Sequence, residues 1–198
     1  MKKLFFVLVL LSLISCKEII SETLKSASNS SVENLSDSDF KQISVEHIYK
    51  LSIPNYMKEM KSLNDEASLQ YANIYKETYT VVIHENKQDF VNYFKELNEY
   101  DDEISVIENY SQAQTKFFEA NVDINKTDTY GLTKINGYNA RQIKMKGKTE
   151  GQDIGYIVGY IEGKEHLYMV MNWTLVDRLN KYENTFESVN NSFKLIEN

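Results

Sequence analysis

The sequence predicts an α+β sandwich, an antiparallel sheet carrying helices on one or both faces. Three observations predict it. Apolar residues alternate along most of the chain, the apolar period lengthens to that of a helix in three stretches, and strands and helices come in runs rather than in strict alternation.

From Ile43 the odd positions read Ile43, Val45, His47, Tyr49, Leu51 and Ile53, with mostly polar residues between them. That pattern predicts one half-buried strand, ended by Pro54, the only proline. Leu69, Tyr71 and Tyr75 predict a second strand, and Tyr79, Val81 and Ile83 a third. In KQDFVNYFKELNEY the period changes: Phe90, Phe94 and Leu97, widened by Val91, follow helical spacing. A second helix is expected over residues 104–120, with Ile107, Tyr110, Ala113 and Phe117 on one face. Asp101, Asp102 and Glu103 precede it, where negative charge complements a helix amino end.

Strands return after Gly131. Asn136-Gly137 is the best hairpin turn in the chain, because both residues tolerate positive φ, and it joins residues 132–135 to 138–147. Two further strands, 152–162 and 166–174, flank Gly163-Lys164. The chain closes with a helix whose Leu179, Tyr182, Phe186, Val189 and Phe193 draw one stripe that must lie on the sheet.

The amino terminus carries a different signal. Lys2 and Lys3 precede an uncharged apolar run, residues 4–14, which ends at the small residue Ser15. This is the pattern of an export signal. As a helix the run would rise only about 16 Å, roughly half the hydrocarbon thickness, so it is too short to span unaided. Leu13-Ile14-Ser15-Cys16 resembles the lipobox of bacterial lipoproteins. The resemblance implies cleavage before Cys16, the only cysteine, and its acylation (a diacylglyceryl thioether and an amide-linked fatty acid such as palmitate). Two or three acyl chains, at about 0.8 kcal/mol per buried methylene, suffice for lasting attachment to a bilayer. The expected organisation is thus a signal peptide over residues 1–15, lipidated Cys16 and a flexible tether over 16–39, and a single domain over 40–198. The tether is serine-rich and lacks an aromatic residue until Phe40. Lys17-Glu18 resembles sorting signals of some Gram-negative lipoproteins, which places the expected anchor in the outer membrane of a bacterial envelope.

Without Lys2 and Lys3, 20 basic residues face 29 acidic ones, a net charge of −9. That balance argues against nucleic-acid binding, which relies on clustered cations. With Cys16 acylated, no thiol remains for a disulfide, a nucleophile or a metal site.

LSIPNYM, YKETYTVVIHE, INGYNARQIK, LYMVMNWTL and the terminal VNNSFK resemble the PsbP-like family, which includes DcrB-like envelope lipoproteins, over residues 40–194. The resemblance implies an αβα sandwich with a central, mostly antiparallel sheet flanked by helices. It also implies a non-enzymatic binding or accessory module, with no catalytic residue to carry over.

No cofactor is expected. His47, His84 and His166 fall on separate expected strands; two could meet, and Glu85 or Glu165 could add a carboxylate, but the spacing fits no familiar metal site. Ser105, Ser111 and Ser188 lie in helical stretches without a nucleophile elbow. Residues 123–128, DINKTD, have oxygens placed as in a calcium loop but lack its glycine and terminal glutamate, and read as a capped polar loop. Tyr156, Tyr160 and Tyr168, with Met169, Met171 and Trp173, are either core or the lining of an apolar pocket.

The sign of charge reverses locally. Residues 134–148 hold five basic residues and no acid, whereas residues 87–128 hold four lysines against ten acids. Tyr138, Lys144, Lys146 and Lys148 share one strand face. Either the lysines guard an exposed strand edge, or these four residues form a patch that binds an envelope protein partner. In the second case charge reversal should leave stability nearly unchanged. The expected function is that of a lipid-anchored envelope lipoprotein acting by binding. The alternative is a carrier of a small hydrophobic ligand held between sheet and helix, and a hydrolase without recognisable motif stands third. Docking on a surface requires no sizeable cavity; a carrier requires an apolar one of several hundred cubic ångströms.

Overall fold

The computed structural model describes residues 32–131 and 133–196. The expected signal peptide, Cys16 and the expected tether through residue 31 lie outside the described residues.

Three layers stack. The central layer is an eight-stranded antiparallel sheet. Its order is β3 (Lys58–Glu59), β4 (Leu69–Asn73), β5 (Thr78–Asn86), β10 (His166–Leu175), β9 (Gln152–Glu162), β8 (Tyr138–Thr149) and β6 (Asp123–Thr129), while β7 (Lys134–Ile135) pairs with the first residues of β8. Two helices, α1 (Lys87–Glu96) and α2 (Val106–Asn121), cover one face. The other face carries α3 (Leu179–Asn191) and a second, three-stranded sheet of β1 (Phe40–Val45), β2 (Tyr49–Pro54) and β11 (Lys194–Leu195). The α+β sandwich with antiparallel strands between helices is the class the sequence predicts.

The strand expected over 43–53 is instead the β1–β2 hairpin. Val45 pairs with Tyr49 and Ile43 with Leu51 across a three-residue loop, in which Glu46 and His47 adopt φ of 46° and 57°. A loop of three residues leaves odd positions facing odd positions. The apolar parity therefore runs through the turn unbroken, and no glycine, asparagine or proline marks it. Tyr75 is 80% exposed in the turn after β4, where the Asn73 side chain accepts hydrogen bonds from the Tyr75 and Lys76 amides and ends the strand. Residues 123–128 form the edge strand β6 rather than a polar loop. Asp123 and Asp128 stand opposite Lys148 and Lys144 of β8, so charge complementarity replaces apolar alternation as its pairing signal.

Contacts with the domain also begin before Phe40. The Glu33 amide donates to the Lys181 carbonyl at 2.8 Å, and its carboxylate pairs with Lys76 (2.9 Å) and accepts from the Tyr56 and Thr185 hydroxyls. Serine-rich composition did not reveal that Glu33 anchors this segment.

Alternate residues of β9 divide the core. Ile154, Tyr156, Val158 and Tyr160 face α1 and α2, whereas Gly155, Ile157, Gly159 and Ile161 face α3 and the small sheet. The two glycines let α3 come close. A Cβ on Gly155 would lie 2.6 Å from the Leu179 side chain, and one on Gly159 3.1 Å from Asn190. Asn190 exploits this approach. Its side chain accepts from Asn172 (2.8 Å) and donates to Gln142 (2.7 Å), and Asn172 accepts from Thr80 (2.8 Å), all of them buried. This chain of groups crosses from β5 to β8 beneath α3.

Removing one member strands the others without water, so Asn190→Ala is expected to cost about 2–4 kcal/mol. Urea unfolding measures it; a change under 0.5 kcal/mol would show that the network adds nothing.

Candidate functional site

The helix-covered face is incompletely filled. α1 follows β5 directly, started by Asn86, whose side chain accepts from the Gln88 (2.9 Å) and Asp89 (3.0 Å) amides. Lys87 ties this end to Glu162 and to the Gly163 carbonyl in the β9–β10 turn. α1 packs on β5 and β10, whereas α2 packs on β9 and β8, where Glu108 receives Arg141 at 2.5 Å. The helices thus sit on different halves of the sheet, and a cleft of about 620 Å³ lies between them.

Aromatic and polar side chains share its walls. Phe90 stands edge-on to Tyr110 with ring centroids 5.2 Å apart, Phe94 packs on Phe90 at 4.6 Å, and Phe117 faces them from α2. Ile83 and Met169 of the sheet form the apolar floor. Leu97, expected to continue the buried stripe of α1, is the C-cap residue and is 46% exposed at the mouth. On α2 the packed face runs through Ile107, Tyr110 and Phe118, which leaves Ala113 and Phe117 of the expected stripe to line the cleft. Asn109 closes one end, its amide donating to the Asp101 carbonyl (2.8 Å) and accepting from the Asp101 amide (2.9 Å).

Glu85 sits at the floor. On β5 it follows Val81 and Ile83 onto the helix face, and its carboxylate accepts a 3.3 Å hydrogen bond from Gln114. No lysine or arginine among the described residues lies within ion-pair distance. The buried Tyr110 hydroxyl faces it without a partner of good hydrogen-bond geometry. Burial pushes the Glu85 carboxyl up to about 7, with the Tyr110 hydroxyl partly opposing it. The other charged residues along the cleft are Glu66, Asp89, Glu99, Asp101 and Lys116.

The basic residues do not assemble as one free patch. Strand β8 is not an edge, because β6 covers it, so its lysines guard no open strand. Lys144 binds Glu183 of α3, which also accepts from Tyr130 at 2.7 Å. Burial pushes the Glu183 carboxyl up, but Lys144 and Tyr130 outweigh it and hold it below its ordinary value. Lys146 lies beside the same carboxylate, and Lys148 is 3.8 Å from Asp153. Tyr138, six residues or roughly 20 Å along the strand from Lys144, packs against the core cluster that contains Phe193.

The structure does bring two histidines together. His84 and His166 have ring centroids 5.3 Å apart, with His84 Nδ1 3.2 Å from the Ser68 hydroxyl. Adjacent strand residues point to opposite faces, so Glu85 cannot join them, and no group of three metal-ligating side chains occurs among the described residues. Ser105 caps α2, and the Ser111 and Ser188 hydroxyls donate to carbonyls of their own helices. Tyr156, Tyr160, Met171 and Trp173 are core; Met169 reaches the cleft floor, and Tyr168 lies on the opposite face against Tyr49 and Phe193. Sequence reasoning therefore missed the cleft. The one available signal was the acid Glu85 in the otherwise apolar helix-side register of β5.

Among known proteins, no family model and no curated protein matches this chain. Solved structures do. The solution structure of the PsbP of the cyanobacterium Synechocystis aligns with a TM-score of 0.51 at 10% identity, over 84% of this chain and 98% of that one. The fold is that of PsbP. A Pseudomonas aeruginosa protein of unknown function, PA94, aligns with a TM-score of 0.43 at 14% identity, over 75% of this chain and 91% of its own. LpqN of Mycobacterium tuberculosis, involved in cell envelope biogenesis, gives 0.42 at 10%, over 74% and 82%.

Because Lys144 faces Glu183 at low exposure, Lys144→Glu is expected to cost about 1–2 kcal/mol in urea unfolding. This replaces the expectation that charge reversal leaves stability unchanged. Glu85 carries its own pH signature. Its proton is held more tightly in the folded chain than in the unfolded one, so wild-type stability falls as pH rises from about 4.5 to about 7. Glu85→Gln should match wild type near pH 4 and exceed it at pH 8 by on the order of 1–3 kcal/mol. Equal differences at both values would place the carboxyl in water.

Proposed function

We propose that this chain is a lipid-anchored binding module of a bacterial envelope, non-enzymatic, that takes a small ligand in the cleft between α1, α2 and the sheet. The cleft carries the reading. Its volume, about 620 Å³, and its lining, in which aromatic rings stand among polar and acidic side chains, suit a small ligand with both an apolar and a polar part. This favours the carrier among the binding functions over docking on a cavity-free surface.

The anchor rests on the lipobox at Leu13-Ile14-Ser15-Cys16 and on the apolar run before it. Glu33 supports it by fixing where the chain enters the domain, sixteen residues or so beyond Cys16. Val32, Ile74 and Tyr75, all exposed, flank the Glu33–Lys76 ion pair in sequence and give that corner an apolar character suited to a bilayer. The outer membrane is the proposed location, and release of a ligand there calls for an envelope protein partner to accept it.

Protein purified from its own membranes should release a small molecule when denatured in organic solvent, seen by mass spectrometry, and should lose it when Phe94→Trp fills the cleft. Cys16→Ala should move the protein from the membrane fraction to the soluble one. Retention of that variant in membranes would refute the lipid anchor, and native protein that yields no bound molecule would refute the carrier.

A further inference from the structure

We propose that the ligand of this cleft is an organic cation, an ammonium group on an apolar or aromatic body, with Glu85 as its counter-ion. The inference rests on the cleft being the ligand site and adds the chemistry of what it selects.

Three features converge on a positive charge. Glu85 is a carboxylate at the floor of the cleft with one amide donor and no cation among the described residues. Glu85 is only partly exposed, and a carboxylate short of water and without a counter-ion is disfavoured, a cost that an ammonium would relieve. The walls offer the second feature. Tyr93 and Phe117 present partly exposed rings to the cleft, backed by the buried Phe90, Phe94 and Tyr110, and aromatic rings attract cations while accepting an apolar body. The third is the rim. Glu66, Asp89, Glu99 and Asp101 line the cleft against the single Lys116, so the field at its mouth draws cations in and turns anions away.

The Tyr110 hydroxyl completes the geometry. It is fully buried, has no partner of good hydrogen-bond geometry, and stands beside Glu85. An ammonium on the open side of Glu85 could donate to its carboxylate, while the phenol hydroxyl, closed off behind it, turns its hydrogen toward the same carboxylate. A carboxylate-bearing ligand such as a fatty acid would meet the opposite situation, two like charges in an apolar enclosure. The Glu85 proton adds a condition. Its raised pKa means that the counter-ion is present at pH 8 and largely absent at pH 6, so amine binding should weaken over that interval.

Calorimetric titration of the full chain with 2-phenylethylamine, 2-phenylethanol and 3-phenylpropionate separates charge from apolar fit. The amine is expected to bind at least ten-fold tighter than the alcohol at pH 8, and the carboxylate not measurably. Glu85→Gln, which the fold should tolerate, is expected to abolish the preference for the amine over the alcohol. Equal binding of amine and alcohol, or preference for the carboxylate, would overturn the cation inference and leave the ligand cleft standing. Failure of all three probes to bind would overturn both.

Discussion

The fold depends on how α3 is seated. Four buried polar side chains, Thr80, Asn172, Asn190 and Gln142, pass hydrogen bonds from one strand to the next beneath that helix. Such groups cannot slide. Moving α3 by one turn would leave buried amides unpaired, each at a cost of about 1–3 kcal/mol, whereas an all-apolar face would tolerate several registers. Gly155 and Gly159 make the approach close enough for these bonds, and Asn136 extends the restraint by donating to the carbonyls of Asn191, the last residue of the helix, and of Phe193 just past it. The small sheet is then held in turn, since Phe193 leads into β11 and stacks on Tyr49 of β2.

The opposite face follows another rule. There α1 and α2 meet the sheet through large aromatic rings and no buried amide chain fixes their spacing. Tyr110 rests edge-on against Tyr160, and Phe118 against Tyr156, so α2 is held to β9 by ring packing. Phe90 of α1 meets Tyr110 of α2 edge-on, which sets the spacing of the two helices, and the cleft lies beside that contact. The two faces therefore differ in kind: one is sealed by small residues and polar registration, the other propped open by large ones. Placing a carboxylate at the floor of the open side works against stability, which gives the site a physical distinction from a packing defect.

Much of the secondary structure was legible because periodicity is local. The stripe Leu179, Tyr182, Phe186, Val189 announced α3, and Asn136-Gly137 announced its turn, with φ of 46° and 88° as such a turn requires. Where reading failed, a non-local pairing had replaced the local signal. The β1–β2 turn was hidden by parity, β6 by its dependence on the lysines of β8, and the Glu33 segment by a single acid whose partners lie up to 152 residues away. The candidate site suffered most, since its walls come from helices predicted separately and its volume exists only between them.

By itself, then, the sequence determined the α+β class and which residues turn inward on most elements, because each depends on neighbours within a few positions. Tertiary structure alone decided that Lys144 belongs to Glu183, that His84 meets His166 while Glu85 turns away, and that α1 and α2 stand apart over an unpaired carboxylate. Those outcomes depend on which strands lie side by side and how far two helices are held from one another, quantities set by packing across the whole molecule.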